Sequence, residues 1–277
     1  MSRRAVLLHS SHRDAFLGDD VDMVFYDQPA DVDELTHVRD AHLWSPHGAR
    51  IDRLPEIVAA MAGLRKLSIG PGDVSSDVVT RLREGDLPEG LRELSILTGR
   101  RPVTWPDVRL PNLNALMAEG PLRFSVVSFP ELRSLTIYPQ RSFDDVRRAL
   151  ALPLEELNLL NVPIDERVFA LLEPVGLRRL GLHGGRTLKG LTGIGVLGQL
   201  ESLRLKNLTS LGDISELATL QRLENLDIQY CKSITGIAAI NELAVLRRLI
   251  LVGCGKIGLS EIEEKVSTLD TVIGATS

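Results

Sequence analysis

Apolar residues recur along this chain in one phrase, Leu-x-x-Leu-x-Leu. The phrase begins at Leu154 (LEELNL), Leu177 (LRRLGL), Leu200 (LESLRL), Leu223 (LENLDI) and Leu246 (LRRLIL), and successive starts fall 23 residues apart. Upstream it returns with looser spacing at Leu64 (LRKLSI), Leu91 (LRELSI), Leu132 (LRSLTI) and, degraded, at Leu113 (LNALMA) and Val38 (VRDAHL). Within the phrase apolar and polar positions alternate, which predicts a half-buried strand in every unit. The rest of each late unit is apolar every third residue, as in Leu188, Leu191, Ile194 and Leu197 or Leu211, Ile214, Leu217 and Leu220. No single unit can bury about seven inward positions alone. Stacked units bury them against one another in a continuous core.

The return segments differ along the chain. Late ones (184–199, 207–222, 230–245) are rich in Gly and Thr and predict 3₁₀ or irregular turns. Earlier ones predict short helices over 76–82, over 146–150 after a Ser142-x-x-Asp145 capping box, and over 165–172 before Pro174. A second capping box, Ser260-x-x-Glu263, predicts a helix to about Ser267, and the N-terminal region predicts a strand over 21–26 and a helix over 56–62.

From about residue 35 to about residue 270 the chain resembles the leucine-rich repeat family, with short bacterial-type units. The resemblance implies an α/β fold: a right-handed solenoid of about nine or ten units. A curved parallel sheet would form its concave face, and short helices and 3₁₀ turns its convex face. An open solenoid end exposes core. Residues 1–63 are therefore expected to form an N-terminal cap with the first weak repeat, 64–259 the repeats, and 260–277 a helical C-terminal cap, all in one continuous domain.

Composition narrows the function classes. Among 277 residues there are 48 Leu, 44% hydrophobic and 25% charged residues, a soluble globular balance. A net charge of -5 and only 4% aromatics argue against a nucleic-acid surface. The whole imbalance lies in residues 1–63, where 6 Lys and Arg stand against 11 Asp and Glu. No apolar run approaches the roughly 18 residues of a bilayer span. The basic start is followed by four apolar residues, too few for a signal peptide's apolar core. The expectation is a cytoplasmic protein with reduced cysteines, no cofactor, no nucleic-acid or membrane partner, and a monomeric or weakly self-associating state. Richness in Arg, Asp, Val, Ala and Leu suggests a bacterial source.

Several motifs could carry chemistry. Cys231 and Cys254 both fall at the ninth position of their units. Equal phase in adjacent repeats is what a structural ladder needs, and catalysis gives no reason for it. The family places Asn or Cys here, turned inward onto backbone of the loop after the strand. His9, His12, His37, His42 and His47 crowd the first 47 residues near Asp14, Asp19, Asp20 and Asp22. A metal hydrolase site is conceivable there, but no spacing fits a strong ligand motif. The Gly193-x-Gly195-x-x-Gly198 spelling lacks the strand–turn–helix context of a dinucleotide site, and no Gly-x-Ser-x-Gly elbow occurs. An enzyme is not expected.

The concave face remains. Positions 3, 5 and 7 of each strand are expected to face solvent there. They gather Arg179, His183, Arg204, Lys206 and Arg248 beside Asn158, Asp227 and Gln229, with Tyr138, Leu160 and the rim residue Tyr230 supplying apolar area. Aromatic residues mixed with Arg are the composition of interface hot spots. The resemblance implies a non-catalytic module that grips a protein partner on this face, as scaffold, adaptor or inhibitor. One concrete form is an immunity protein covering a toxin's active site; a self-associating structural protein is the other non-catalytic class.

Overall fold

A computed structural model describes residues 3–13, 21–45, 51–71, 73–99 and 101–275. The chain forms two compact units, Met1–Ile137 and Tyr138–Ser277. In the first unit the strands are β1 (Arg3–Leu8), β2 (Val21–Phe25), β3 (Val38–Leu43), β4 (Lys66–Ile69), β5 (Glu93–Ile96), β6 (Val103–Thr104), β7 (Ala115–Ala118), β8 (Leu122–Arg123) and β9 (Ser134–Ile137). Seven of them pair in parallel in the order β2-β1-β3-β4-β5-β7-β9, and β6 pairs with β8. The weak phrases at Val38 and Leu113 are thus full members of the sheet. Helices α1 (Val32–Leu35), α2 (Ile57–Ala60) and α3 (Asp73–Thr80) lie in its return segments. Trp105 is buried there, donates its indole N–H to the Val108 carbonyl at 2.9 Å and meets Phe129 edge-on.

The second unit has the strict 23-residue phase. Its strands are β10 (Glu156–Leu160), β11 (Arg179–His183), β12 (Ser202–Lys206), β13 (Asn225–Gln229), β14 (Arg248–Val252) and β15 (Thr271–Ala275), all parallel and in sequence order. Equal repeat positions pair without slippage: Glu156, Arg179, Ser202, Asn225 and Arg248 form one row across the sheet. Helices α4 (Asp144–Ala149) and α5 (Arg167–Leu172) give way to 3₁₀ turns at Ile194–Val196, Ser215–Thr219 and Ile237–Glu242. A last 3₁₀ turn, Leu259–Ile262, leads into α6 (Glu263–Val266). The apolar ladders meet between the two layers, where Leu157, Leu180, Leu203, Leu226 and Leu249 from the strands and Ile194, Leu217 and Ile240 from the turns are buried. The fold is a leucine-rich repeat solenoid.

The turns are tied to one another by carboxylates at repeat spacing. Glu166 accepts the backbone N–H groups of Lys189 and Gly190, both at 2.8 Å, and Glu216 accepts that of Gly193 at 2.7 Å. These close backbone donors that short helical turns would otherwise leave open.

Neither expected capping box forms. Phe143 takes the cap position of α4 with φ 62°, and the Asp145 carboxylate instead accepts from the Gln140 and Val146 N–H groups at 2.9 Å. The buried Phe143 ring sets this geometry, and Ser142 is left outside. Ser260 falls inside the 3₁₀ turn that precedes α6 and caps nothing. The helix over 165–172 begins at Arg167, whose N–H is accepted by Asp165.

Candidate functional site

The exposed side of the second unit's sheet is built from three rows. In the position-3 row Arg179 Nε lies 3.0 Å from Glu156 Oε2 on the neighbouring strand. In the position-5 row Arg204 Nε lies 2.9 Å from Asp227 Oδ2. The position-7 row runs Leu160, His183, Lys206, Gln229 and Val252. Polar side chains also bond along single strands. Asn158 donates to Glu156 Oε1, and Gln229 donates to Asp227 Oδ1, each at 2.9 Å. Arg204 therefore points outward from a carboxylate that is itself only 13% exposed and held from two sides. Its guanidinium is hydrogen-bonded to that carboxylate while more than half of the Arg204 side chain stays open to solvent.

Not every position expected to face solvent does so. Asp227 and Ile250 are buried, and so is Gly181. Long neighbours fold over the first and last: a Cβ at Gly181 would meet Asn158 Oδ1 at 2.0 Å and His183 Nε2 at 2.8 Å. Ile250 is flanked by Ile273 of β15, a strand the repeat phrase does not announce. Arg179, Arg204 and Arg248 are exposed, whereas Asn158, Leu160, His183, Lys206 and Gln229 are half-buried. Tyr138, also half-buried, precedes α4 and lies off these strands. Among the described residues Lys206 and Arg248 make no ion pair.

Among the described residues His183 is the one imidazole in this face. Burial holds its pKa below the ordinary histidine value, and the Arg204 and Lys206 charges push the same way against Asp227. The imidazole is therefore neutral near pH 7.

The residue after each strand carries a feature that the apolar pattern does not reveal. Asn161, Gly184, Asn207, Tyr230 and Gly253 all have φ between 54° and 68°. Four of the five are Asn or Gly, which enter the left-handed region easily. Tyr230 is bulky and does not. Its ring lies on Gly253, where an added Cβ would be 2.6 Å from Tyr230 Cδ1, and 47% of the residue is exposed. The sequence signal was available: one aromatic in a column of Asn and Gly.

Both cysteines are free and buried. Cys231 Sγ donates toward the Leu205 and Gln229 carbonyls at 3.7 and 3.5 Å, and Cys254 Sγ toward those of Ile228 and Val252 at 3.3 and 3.5 Å. Burial pushes the Cys231 thiol up to about 11 and raises Cys254 as well.

Among the described histidines of the first unit, His9 and His12 share the Ser11 hydroxyl, at 2.9 and 3.1 Å. His42 bonds the Gly70 carbonyl at 2.7 Å, and His37 is exposed. His9 Nδ1 accepts the Ser11 N–H and meets the Ser11 hydroxyl at 2.9 Å, so the ring caps the 3₁₀ turn Ser10–His12; its other nitrogen lies 3.5 Å from Asp27. Asp27 is itself bonded by the Ser10 hydroxyl and N–H. His47, Asp14, Asp19 and Asp20 lie outside the described residues. Among the described residues no three of His, Cys, Asp and Glu gather as a metal site, and no helix is long and apolar enough to cross a membrane.

No family model matches the chain, and no curated protein matches it. Among solved structures it is similar to an internalin from Listeria monocytogenes, with 16% identity, a TM-score of 0.42, and coverage of 78% of this chain and 68% of that one.

Proposed function

We propose that this chain is a non-catalytic protein-interaction module whose exposed sheet face, from β10 to β14, grips a protein partner. The observation that carries this is the pair Arg204–Asp227. An arginine is pre-oriented by a buried carboxylate, half-open to solvent, and set in a face with Arg179, Lys206, Arg248 and the exposed ring of Tyr230. Fixed Arg and Tyr side chains lose little freedom on binding, and such residues dominate interface energetics.

In this reading residues 64–259 are recognition repeats, and 1–63 and 260–277 serve as caps. The mixed charge of the face suits an inhibitor, such as an immunity protein covering a toxin's active site, since cation and anion rows both find counterparts on a partner. Free buried thiols fit a reducing, cytoplasmic setting and a bacterial protein monomeric or weakly self-associating. A second reading, self-association, is favoured by β15, the last strand of this unit's sheet, which exposes Val272 and Ile273.

The test is affinity capture from native lysate with wild type beside Arg179→Glu/Arg204→Glu. A stoichiometric partner held by wild type and lost by the folded variant supports the sheet-face reading. A partner kept by both moves the site elsewhere. Light scattering at two concentrations decides the second reading, because only self-association makes the mass rise with concentration.

A further inference from the structure

Beside the sheet face, at the ends of β10, β11 and β12, the second unit holds a cleft of about 430 Å³. Arg141 and Arg186 both line it, and the lining holds no carboxylate. Both arginines are exposed, and among the described residues neither makes an ion pair or a side-chain hydrogen bond. The other arginines of this unit's sheet region mostly behave differently: Arg178 is bound to Glu201, Arg179 to Glu156 and Arg204 to Asp227. Two cations around one cleft with no counter-charge repel each other, and an anion between them removes that cost.

Neutral donors complete the wall. Asn161 and Asn207 stand at the left-handed positions that end β10 and β12; their backbone N–H groups bond the His183 and Gln229 carbonyls, and among the described residues their side-chain amides make no hydrogen bond. Thr209 adds a hydroxyl. Thr187 is already committed, since its hydroxyl donates to the Val162 and Ile164 carbonyls and so fixes the loop. The floor must be glycine at 185. Its φ is 121°, and a Cβ there would come within 2.6 Å of the Val162 carbonyl oxygen. Val162 and Pro163 give one apolar side.

We infer that this cleft is a binding site for a phosphate monoester, with Arg141 and Arg186 on the phosphate oxygens, Asn161, Asn207 and Thr209 donating to the remaining ones, and the ester carbon against Val162 and Pro163. Guanidinium groups match phosphate bidentately. The volume exceeds that of a bare phosphate and lies in the ordinary range for small-ligand clefts, roughly 300–1,000 Å³. Free phosphate esters and the phosphorylated side chain of a protein share this chemistry. The inference stands apart from the sheet-face reading, because Arg179 and Arg204 do not line the cleft.

The experiment is an amide-resolved NMR titration of the full chain at constant ionic strength, with inorganic phosphate, phenyl phosphate and a phosphoserine peptide. Saturable shifts at Gly185, Thr187 and Thr209 are expected. Arg141→Ala and Arg186→Ala should each weaken binding by about tenfold, and Arg167→Ala, at an exposed arginine that does not line the cleft, should leave it intact. Phenyl phosphate matching or exceeding the peptide assigns the site to free esters; tenfold tighter peptide assigns it to a phosphorylated protein. No saturable shift, or shifts unchanged in Arg141→Ala/Arg186→Ala, would overturn the inference.

Discussion

Gly253→Ala tests the seat of Tyr230. Two costs add. Gly253 has φ 62°, where an L residue is disfavoured by about 1–2 kcal/mol. The new Cβ would also lie 2.6 and 2.9 Å from two ring atoms of Tyr230, so the ring must leave. Tyr230 is 47% exposed, so roughly half of a ring's 150–250 Å² is covered, and its loss at about 25 cal/mol per Å² costs at most ~3 kcal/mol. Gly253→Ala should therefore destabilise by about 2–5 kcal/mol. Asn occupies the same backbone position at 161 and 207. In a Tyr230→Asn background the ring is already gone, and Gly253→Ala should cost only the backbone term, about 1–2 kcal/mol. Urea unfolding of the four proteins gives the double-mutant cycle, with an expected coupling of at least ~1 kcal/mol. Additivity within about 0.5 kcal/mol would mean that the ring does not rest on Gly253, and the argument that Tyr230 is held rigid would fail.

Other expectations follow from the same geometry. Leu203→Ala empties a fully buried position between β11 and β13 and should cost ~2–5 kcal/mol in urea unfolding; a cost below 1 kcal/mol would contradict the packed ladder. The raised thiol pKa of Cys231 means that the unfolded chain ionises first as pH rises. Stability from this group is complete below pH 9 and falls between 9 and about 11, and native protein should resist thiol reagents at pH 8 that label it once unfolded. His183 has a lowered pKa, so its contribution is present above 6.5 and falls as pH drops through the folded value. Its imidazole should titrate by NMR below the ordinary value, and Arg204→Glu should move that titration upward; a downward or null response would mean that the Arg204 charge does not reach the ring.

Much of the second unit was legible because 23-residue phase dictates register. Once Leu154 and Leu177 share a phase, Glu156 must pair with Arg179, and it does. Periodicity is a property of backbone repeats, and it says less about side-chain cover. Asp227 was expected to face solvent and is buried because Arg204 and Gln229 close on it, a tertiary effect of two long neighbours. The failure of both capping boxes has a similar cause. Ser142 fits the local rule, but burying Phe143 decides the turn. The N-terminal chain path was also hidden: β1 lies between β2 and β3, an order that no local pattern encodes. The cleft at Arg141 and Arg186 escaped because its residues come from four successive loops and none of them belongs to the repeat phrase.

The most direct test of the central claim is hydrogen exchange on the captured complex compared with the free chain. Added protection is expected in β10 to β14 and at Tyr230, with the 3₁₀ turns at Ile194–Val196 and Ser215–Thr219 unchanged. Protection confined to those turns or to the first unit, with β10 to β14 exchanging as in the free chain, would contradict the sheet-face reading.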